Sequence, residues 1–213
     1  MSVVVFDVET TGLPKKRNSP FTDFDNWPHI VQMSWLVYNT INGEIDSIND
    51  YIVKLPEDIT IPENAIRIHG ITNEKMREQG KDICDVLMEF KRDISNSKII
   101  VAHNLDFDTN IISVELLRNN LRNALYFYRG EKYCTMHKTK KLFSRWPKLI
   151  DLHKRLFKTT PKNLHNSLID VYVCFRCFCQ HKYGYDPIYD ETIVKKNNAN
   201  IIAFRKMYSK MLN

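Results

Sequence analysis

The chain has 213 residues, 43% hydrophobic and 26% charged, the composition of a globular protein with one ordinary core. It has no uninterrupted apolar run of about 18 residues, and its first residues enter a strand pattern without a basic leader, so neither a membrane span nor a secretory signal is expected. A formal charge of +6 is compatible with a polyanionic partner such as nucleic acid and equally with a well-solvated basic surface, while five irregularly spaced cysteines suit a reducing compartment.

In chain order, the predicted elements begin with a buried strand over residues 2–9, rich in β-branched and apolar side chains. Gly12 and Pro14 end it, and Lys15, Lys16, Arg17, Asn18, Ser19 and Pro20 form a basic loop. A second strand is expected over 30–39 and a third over 44–53, joined by a hairpin turn at Asn42-Gly43. The period then changes. Helices are predicted over 73–79 and 82–94, the second with Ile83, Val86, Leu87, Phe90 and Ile94 on one side. A short buried strand at 98–102 leads into a helix running from Asp106 or Phe107 to about Asn120, with Phe107, Ile111, Val114 and Leu117 as its core face. A last strand at 133–135, helical stretches near 136–144 and 149–157, and a helix from about Asn166 to Lys182 close the core. The tail from Asp186 is polar and basic, with an amphipathic helix expected over 198–211. Strands first, then strands interleaved with helices, argue for an α/β domain: a mixed five-stranded sheet, three antiparallel strands first, flanked by helices. We read residues 1–185 as the domain proper and 186–213 as a basic C-terminal helical extension of it.

Chemistry concentrates at three places. Asp7 and Glu9 lie two residues apart on the first strand, so both side chains point to one face. Carboxylates forced together resist ionisation and destabilise a fold unless positive charge lies between them, and a divalent metal is the natural candidate. The second place is Val101 to Asp108, where a buried strand ends at the carboxyl edge of the sheet, the edge on which α/β folds put their sites. Asp106 suits the N-cap there and Asp108 the first helical turn, although either acid taken alone also fits a cap. The third place is His165-Asn-Ser-Leu-Ile-Asp170. Five residues advance a helix by about 500°, leaving the two side chains about 140° apart. Both serve one site only if His165 precedes the helix on a loop. A further run, Cys174-Phe-Arg-Cys177-Phe-Cys179-Gln-His181, has the look of a zinc motif but falls inside the closing helix, where Val171, Cys174, Phe175 and Phe178 form a core face. Buried packing is the expectation there.

The order Asp-x-Glu-Thr-Thr-Gly, His-Asn-x-x-Phe-Asp, His-x-x-x-x-Asp resembles the DEDDh 3′-5′ exonucleases, the DnaQ-like group that includes proofreading subunits and stand-alone nucleases. The segments Trp27-Pro28-His29-Ile30-Val31-Gln32, Ile68-His69-Gly70-Ile71-Thr72 and Trp146-Pro147-Lys148-Leu149 look like the family too. The resemblance implies a ribonuclease H-like fold. It implies that Asp7, Glu9, Asp108 and Asp170 bind two divalent cations, Mg2+ or Mn2+, with Asp7 bridging both, and that His165 is the general base. It selects Asp108 over Asp106. It further implies that Thr10 and Thr11 meet the terminal nucleotide, that Leu13 packs against bases, and that His69 and Asn104 are additional substrate contacts. The implied activity is hydrolysis from the 3′ end of DNA, single-stranded or frayed, releasing nucleoside 5′-monophosphates. An exoribonuclease is the alternative within the enzyme class. A catalytically inactive nucleic-acid-binding module is the rival from another class, and it is disfavoured because no acid of the motifs, nor the histidine, is lost. The implied partners are nucleic acid 3′ ends, DNA ahead of RNA, and a polymerase or repair partner in trans, with no membrane. The implied location is intracellular and cytoplasmic, with nuclear or virus-encoded settings open. Proofreading, repair and degradation are not distinguished.

Overall fold

The computed structural model describes residues 1–16, 18–121, 128–162, 164–189 and 198–212. Three strands open the chain: β1 (Ser2–Thr10), β2 (Ile30–Asn39) and β3 (Glu44–Ile52), the last two joined by a turn in which Gly43 takes φ +70, a left-handed value that glycine adopts without a Cβ penalty. Helices α1 (Glu63–His69) and α2 (Asn73–Gln79) follow, and α3 (Ile83–Ser95) leads into β4 (Ile99–Ala102). After α4 (Leu105–Arg118) come β5 (Glu131–Cys134), the one-turn α5 (Thr135–Lys138), a 3-10 turn at Lys140–Leu142, α6 (Leu149–Phe157), α7 (Ser167–Tyr183) and α8 (Ala199–Leu212). The strands form one sheet in the order β3-β2-β1-β4-β5, antiparallel from β3 to β1 and parallel from β1 to β5.

β1 is central, and its alternation divides the core. Val4, Phe6 and Val8 pack with residues of α3 and α4. Val3 and Val5 pack on the other side with residues of α7 and α8, including Phe175, Phe178, Phe204 and Tyr208. Each such fully buried side chain contributes about 1.5–3 kcal/mol. Asp7 and Glu9 continue the α7-facing row of β1 beyond Val5. Two irregularities shape this end of the sheet. The parallel ladder to β4 runs only from Val3 to Val5, so β1 extends past the paired region. The antiparallel ladder to β2 holds register from Ser2 to Glu9 and then bulges, with Glu9 opposite Gln32 and Thr10 opposite Ile30.

Several expectations about local structure needed correction. Helix α1 was not foreseen, because a seven-residue helix burying only Ala65 and His69 leaves too little periodicity to read. The last strand begins at Glu131, and Thr135 already belongs to a helix. The 136–144 stretch resolves into α5 and a 3-10 turn. Asp106 is not the N-cap of α4. Asn104 holds that place in the left-handed conformation (φ 72), so the helix starts at Leu105 and Asp106 sits exposed in the first turn. On the same helix, Leu116 is buried where Leu117 was expected. Cys174, Cys177 and Cys179 pack in the core with almost no exposure, and burial pushes all three thiols up. Arg17 and residues 190–197 of the tail lie outside the described residues.

Candidate active site

The four motif acids arrive at one place from three elements of the chain. Asp7 and Glu9 come from the overhanging end of β1, Asp108 from the first turn of α4, and Asp170 from the first turn of α7. One carboxylate oxygen each from Asp7, Glu9 and Asp170 lie within 4.8 Å of one another. Asp108 approaches from the α4 side, where the backbone N–H of Val8 donates to its carboxylate. It is 3% exposed.

Electrostatics follow from that crowding. Burial, then Asp108, Asp170 and Glu9, push the Asp7 carboxyl well above its ordinary range. Glu9 is pushed up to about 8 by burial and by Asp170, and Asp170 to about 7 by burial. Asp108 is raised as well, chiefly by burial, against the opposing effect of its backbone hydrogen bonds. Among the described residues no Lys or Arg forms an ion pair with any of the four. An acidic cluster buried at Asp108 and half-buried at Asp7, Glu9 and Asp170, without an ion-paired Lys or Arg among the described residues, is a site that a bound divalent ion would stabilise, and an all-oxygen donor set suits Mg2+ or Mn2+.

His165 lies on the loop before α7, as the angular argument required, and Asn166 is the N-cap, accepting from the backbone N–H of Ile169 at 3.3 Å. The His165 backbone takes φ +71, a left-handed conformation that costs a non-glycine residue about 1–2 kcal/mol. Its own N–H donates to Asp170 Oδ2 at 3.0 Å, which ties the strained residue to the acid cluster. The side chain is exposed.

The substrate candidates surround the end of β1. Thr10 is buried, and its hydroxyl donates to the carbonyl of Gly12 at 2.6 Å. Thr11 exchanges hydrogen bonds with His29: its N–H donates to the His29 carbonyl at 2.9 Å, and its hydroxyl accepts the His29 N–H at 3.0 Å. His69 Nδ1 accepts the Ile71 N–H at 3.1 Å, so Nε2 carries the proton, and that buried atom lies against the Thr10 backbone without closing a hydrogen bond. Leu13 is 80% exposed. Leu13 and Asn104 line a groove of about 580 Å³ together with Trp27, Phe107, His137 and Trp146.

Three contributions were not legible beforehand. Phe107 was read as core alone, and His137 and Trp146 were given no place in a site. Ser167 docks the start of α7, donating from its hydroxyl to the carbonyl of Asp7 at 2.7 Å and from its N–H to Gln32 Oε1 at 3.2 Å. Gln32 in turn donates to Asp50 at 2.7 Å. Arg118 and Glu115 clamp the segment before β2. Arg118 donates to the carbonyls of Phe24, Trp27 and Pro28 and pairs with Glu115 at 2.6 Å, and Glu115 accepts the N–H of Ile30 at 3.4 Å. That segment includes His29, which holds Thr11.

Comparison with known proteins assigns the chain to a family. The RNase T exonuclease family model matches residues 4–178, a span that includes every acid of the cluster and His165. Over 92% of its length the chain is 26% identical to the DNA polymerase III subunit epsilon of Buchnera aphidicola, covering 79% of that protein. A 29% identity with DNA polymerase III PolC-type of Listeria innocua extends over 56% of this chain and 7% of that one. Among solved structures, the E. coli exonuclease I complex with single-stranded DNA superposes with a TM-score of 0.62 at 16% identity, over 86% of this chain and 41% of that one. Exonuclease X in complex with 5′-overhanging duplex DNA superposes with a TM-score of 0.54 at 22% identity, over 86% of this chain and 93% of that one. The chain therefore spans less than half of exonuclease I and most of exonuclease X. With its ribonuclease H-like sheet and the family match across both halves of the acid cluster, this chain belongs to the DnaQ-like DEDDh branch of the RNase T exonuclease family.

Proposed function

We propose that the protein is a metal-dependent 3′-5′ exonuclease of DNA that releases nucleoside 5′-monophosphates, with Asp7, Glu9, Asp108, Asp170 and His165 as its catalytic residues. The observation that carries this reading is the convergence of four acids, without an ion-paired Lys or Arg among the described residues, beside a groove walled by Leu13 and Trp146. Asp7, Glu9 and Asp170 would hold one divalent cation, and Asp108 with Asp7 a second. Such a pair supplies the positive charge against which the attacking and leaving oxygens of a phosphodiester develop.

The chain's own residues do the rest. His165 accepts the proton of the attacking water, for which its exposed position before α7 and its tie to Asp170 suit it. The water oxygen bonds to phosphorus, the bond to the 3′ oxygen of the preceding nucleotide breaks, that oxygen takes a proton from solvent to become a hydroxyl, and the 5′-monophosphate is free. Thr10, Thr11, His69 and Asn104 position the terminal nucleotide, and Leu13 packs against its base. The relatives named for DNA polymerase III and for DNA complexes favour DNA over RNA and a polymerase as a partner in trans. Residues 186–213 are proposed to belong to the same domain as an extension, consistent with Ile201, Phe204, Tyr208 and Met211 of α8 packing in the core against α7. No helix among the described residues is long and apolar enough to cross a membrane.

Stepwise shortening of a 5′-labelled oligodeoxynucleotide in Mg2+, with a 3′ label released first as a mononucleotide, is the expected result. Loss of that ladder in chelator and in Asp7→Ala completes the test. Intact oligonucleotides of every kind after incubation with the unmutated protein and either metal would overturn the reading, and shortening from the 5′ end would overturn its polarity.

A further inference from the structure

Past the Leu13–Trp146 groove the surface changes character. Residues 129–162 carry eleven Lys or Arg against two acids, whereas the rest of the chain has more acids than bases. Part of this excess converges. A cavity of about 460 Å³ between the 143–145 loop and α6 is lined by Arg145, Lys154, Arg155 and Lys158, with Asp151 its one acid and Phe143 its aromatic wall. Asp151 pairs with Arg145 at 3.2 Å, but the pair is 34% and 73% exposed and screened by solvent. Three cations in excess around one cavity repel each other unless an anion lies among them.

The cavity adjoins the nucleotide groove through consecutive residues, since Trp146 lines the groove and Arg145 the cavity. Trp146 is 54% exposed, with the His137 ring 5.0 Å away and Lys140 Nζ 5.5 Å from its face. Both walls are anchored. His103 Nε2 donates to the carbonyl of Pro147 at 3.0 Å, and its Nδ1 accepts from the Thr135 hydroxyl at 2.9 Å, which holds the loop to the end of β4. On α6, Leu152 and His153 are fully buried against the core, so the cations of its outer face stand on a fixed platform. Exposed aromatic faces that stack bases, next to a cationic track for phosphates, are the usual parts of a single-strand binding surface.

We propose that the Arg145–Lys158 cavity binds the phosphate backbone of the nucleic acid upstream of the terminal nucleotide, with Trp146 stacking a base at the junction. This rests on, and deepens, the exonuclease reading. Upstream phosphates held here would keep a long strand bound after each terminal nucleotide leaves, and short oligonucleotides would not reach the cavity.

The full chain is titrated, in chelator so that nothing is cut, against fluorescein-labelled oligothymidylates of about 4 and about 20 nucleotides across a KCl series, with anisotropy as readout. Lys154→Glu/Arg155→Glu is expected to raise Kd for the longer oligomer about tenfold and to lower the slope of log K against log salt by about 1.4, two contacts at about 0.7 each. Lys154→Gln/Arg155→Gln should fall between, and Trp146→Ala should weaken binding about tenfold. The 4-nucleotide probe should not respond to the charge reversal. Circular dichroism and melting curves establish that the variants are folded. Equal Kd and salt slope in folded variants would overturn the proposal, and so would preferential binding of an oligoglutamate over the oligothymidylates by the unmutated chain. Hydrolysis of the p-nitrophenyl ester of thymidine 5′-monophosphate by the unmutated protein in Mg2+ tests the catalytic reading separately. Its failure would sink that reading while the anisotropy series still decides the cavity.

Discussion

Helix α7 carries two clusters of ionisable side chains, each partly buried, and they are built on opposite plans. At its first turn Asp170 joins Asp7, Glu9 and Asp108, four carboxyl groups that raise one another's pKa and have no ion-paired Lys or Arg among the described residues. Two turns on, Arg176 is only 3% exposed yet fully partnered. It donates to Asp186 through Nε at 2.9 Å and Nη2 at 2.6 Å, and through Nη1 to His153 Nε2 at 3.2 Å. His153 donates from Nδ1 to the Thr159 carbonyl at 2.9 Å and also meets the Tyr208 hydroxyl, while burial lowers its pKa to about 4 and keeps it neutral. The second cluster is complete in itself and ties α6, α7 and α8 together. The first is incomplete by one kind of charge. Buried charge that lacks a protein partner is retained against stability, and that difference is what separates a structural network from a site on one helix.

Substitution at each cluster should therefore act in opposite directions. Asp7→Asn is expected to lower kcat about a thousandfold in an oligonucleotide assay, the scale of losing a preorganised electrostatic element, while raising the melting temperature of the metal-free protein by a few degrees. A drop in that melting temperature would show that the acid cluster is stabilising and break the contrast. Arg176→Met leaves the half-buried Asp186 without its cation, so urea unfolding should register a loss of about 2–3 kcal/mol.

The pH dependence sharpens the same contrast. Glu9 and Asp170 have folded-state values of about 8 and about 7, above the ordinary values near 4 that they regain on unfolding. The folded state thus binds extra protons between about pH 4 and pH 8, and metal-free stability should fall as pH rises through that window. Mg2+ should offset the fall, most at the alkaline end, with protons released on binding, and calorimetry in buffers of different ionisation enthalpy reads that release. A metal-free melting temperature that climbs from pH 5 to pH 8 would contradict it. The smallest effect is expected from Ser167→Ala, which removes the hydroxyl bond to the Asp7 carbonyl but leaves the α7 cap intact. About 1 kcal/mol of stability should go, read by chemical unfolding.

What the sequence disclosed depended on whether a residue's role is local. Asp7 and Glu9 are fixed by strand alternation, and both appear on the face that alternation assigns. His165 had to precede α7 on angular grounds, and it does. The choice between Asp106 and Asp108 was not available from spacing, because Asn104 enters the left-handed region and starts the helix two residues earlier than an Asp106 cap would. His137 and Trp146 join the groove through tertiary packing of a loop with no period of its own. Arg118 carries no signal in the sequence, and only the folded chain shows it gripping three carbonyls of a segment about 90 residues earlier.

The bulge between Glu9 and Thr10 has a consequence for how such a protein can change. In-register pairing up to Glu9 locks both acids to the α7 side, since a one-residue slip would turn them to the opposite face. The extra residue of β2 is accommodated immediately afterwards, at Thr10, where the proposed nucleotide contacts begin. Length changes in residues 11–29 can therefore be taken up at the bulge without rotating Asp7 or Glu9. If that loop contacts substrate as proposed, preference becomes tunable by insertion and deletion there while the acids stay where they are.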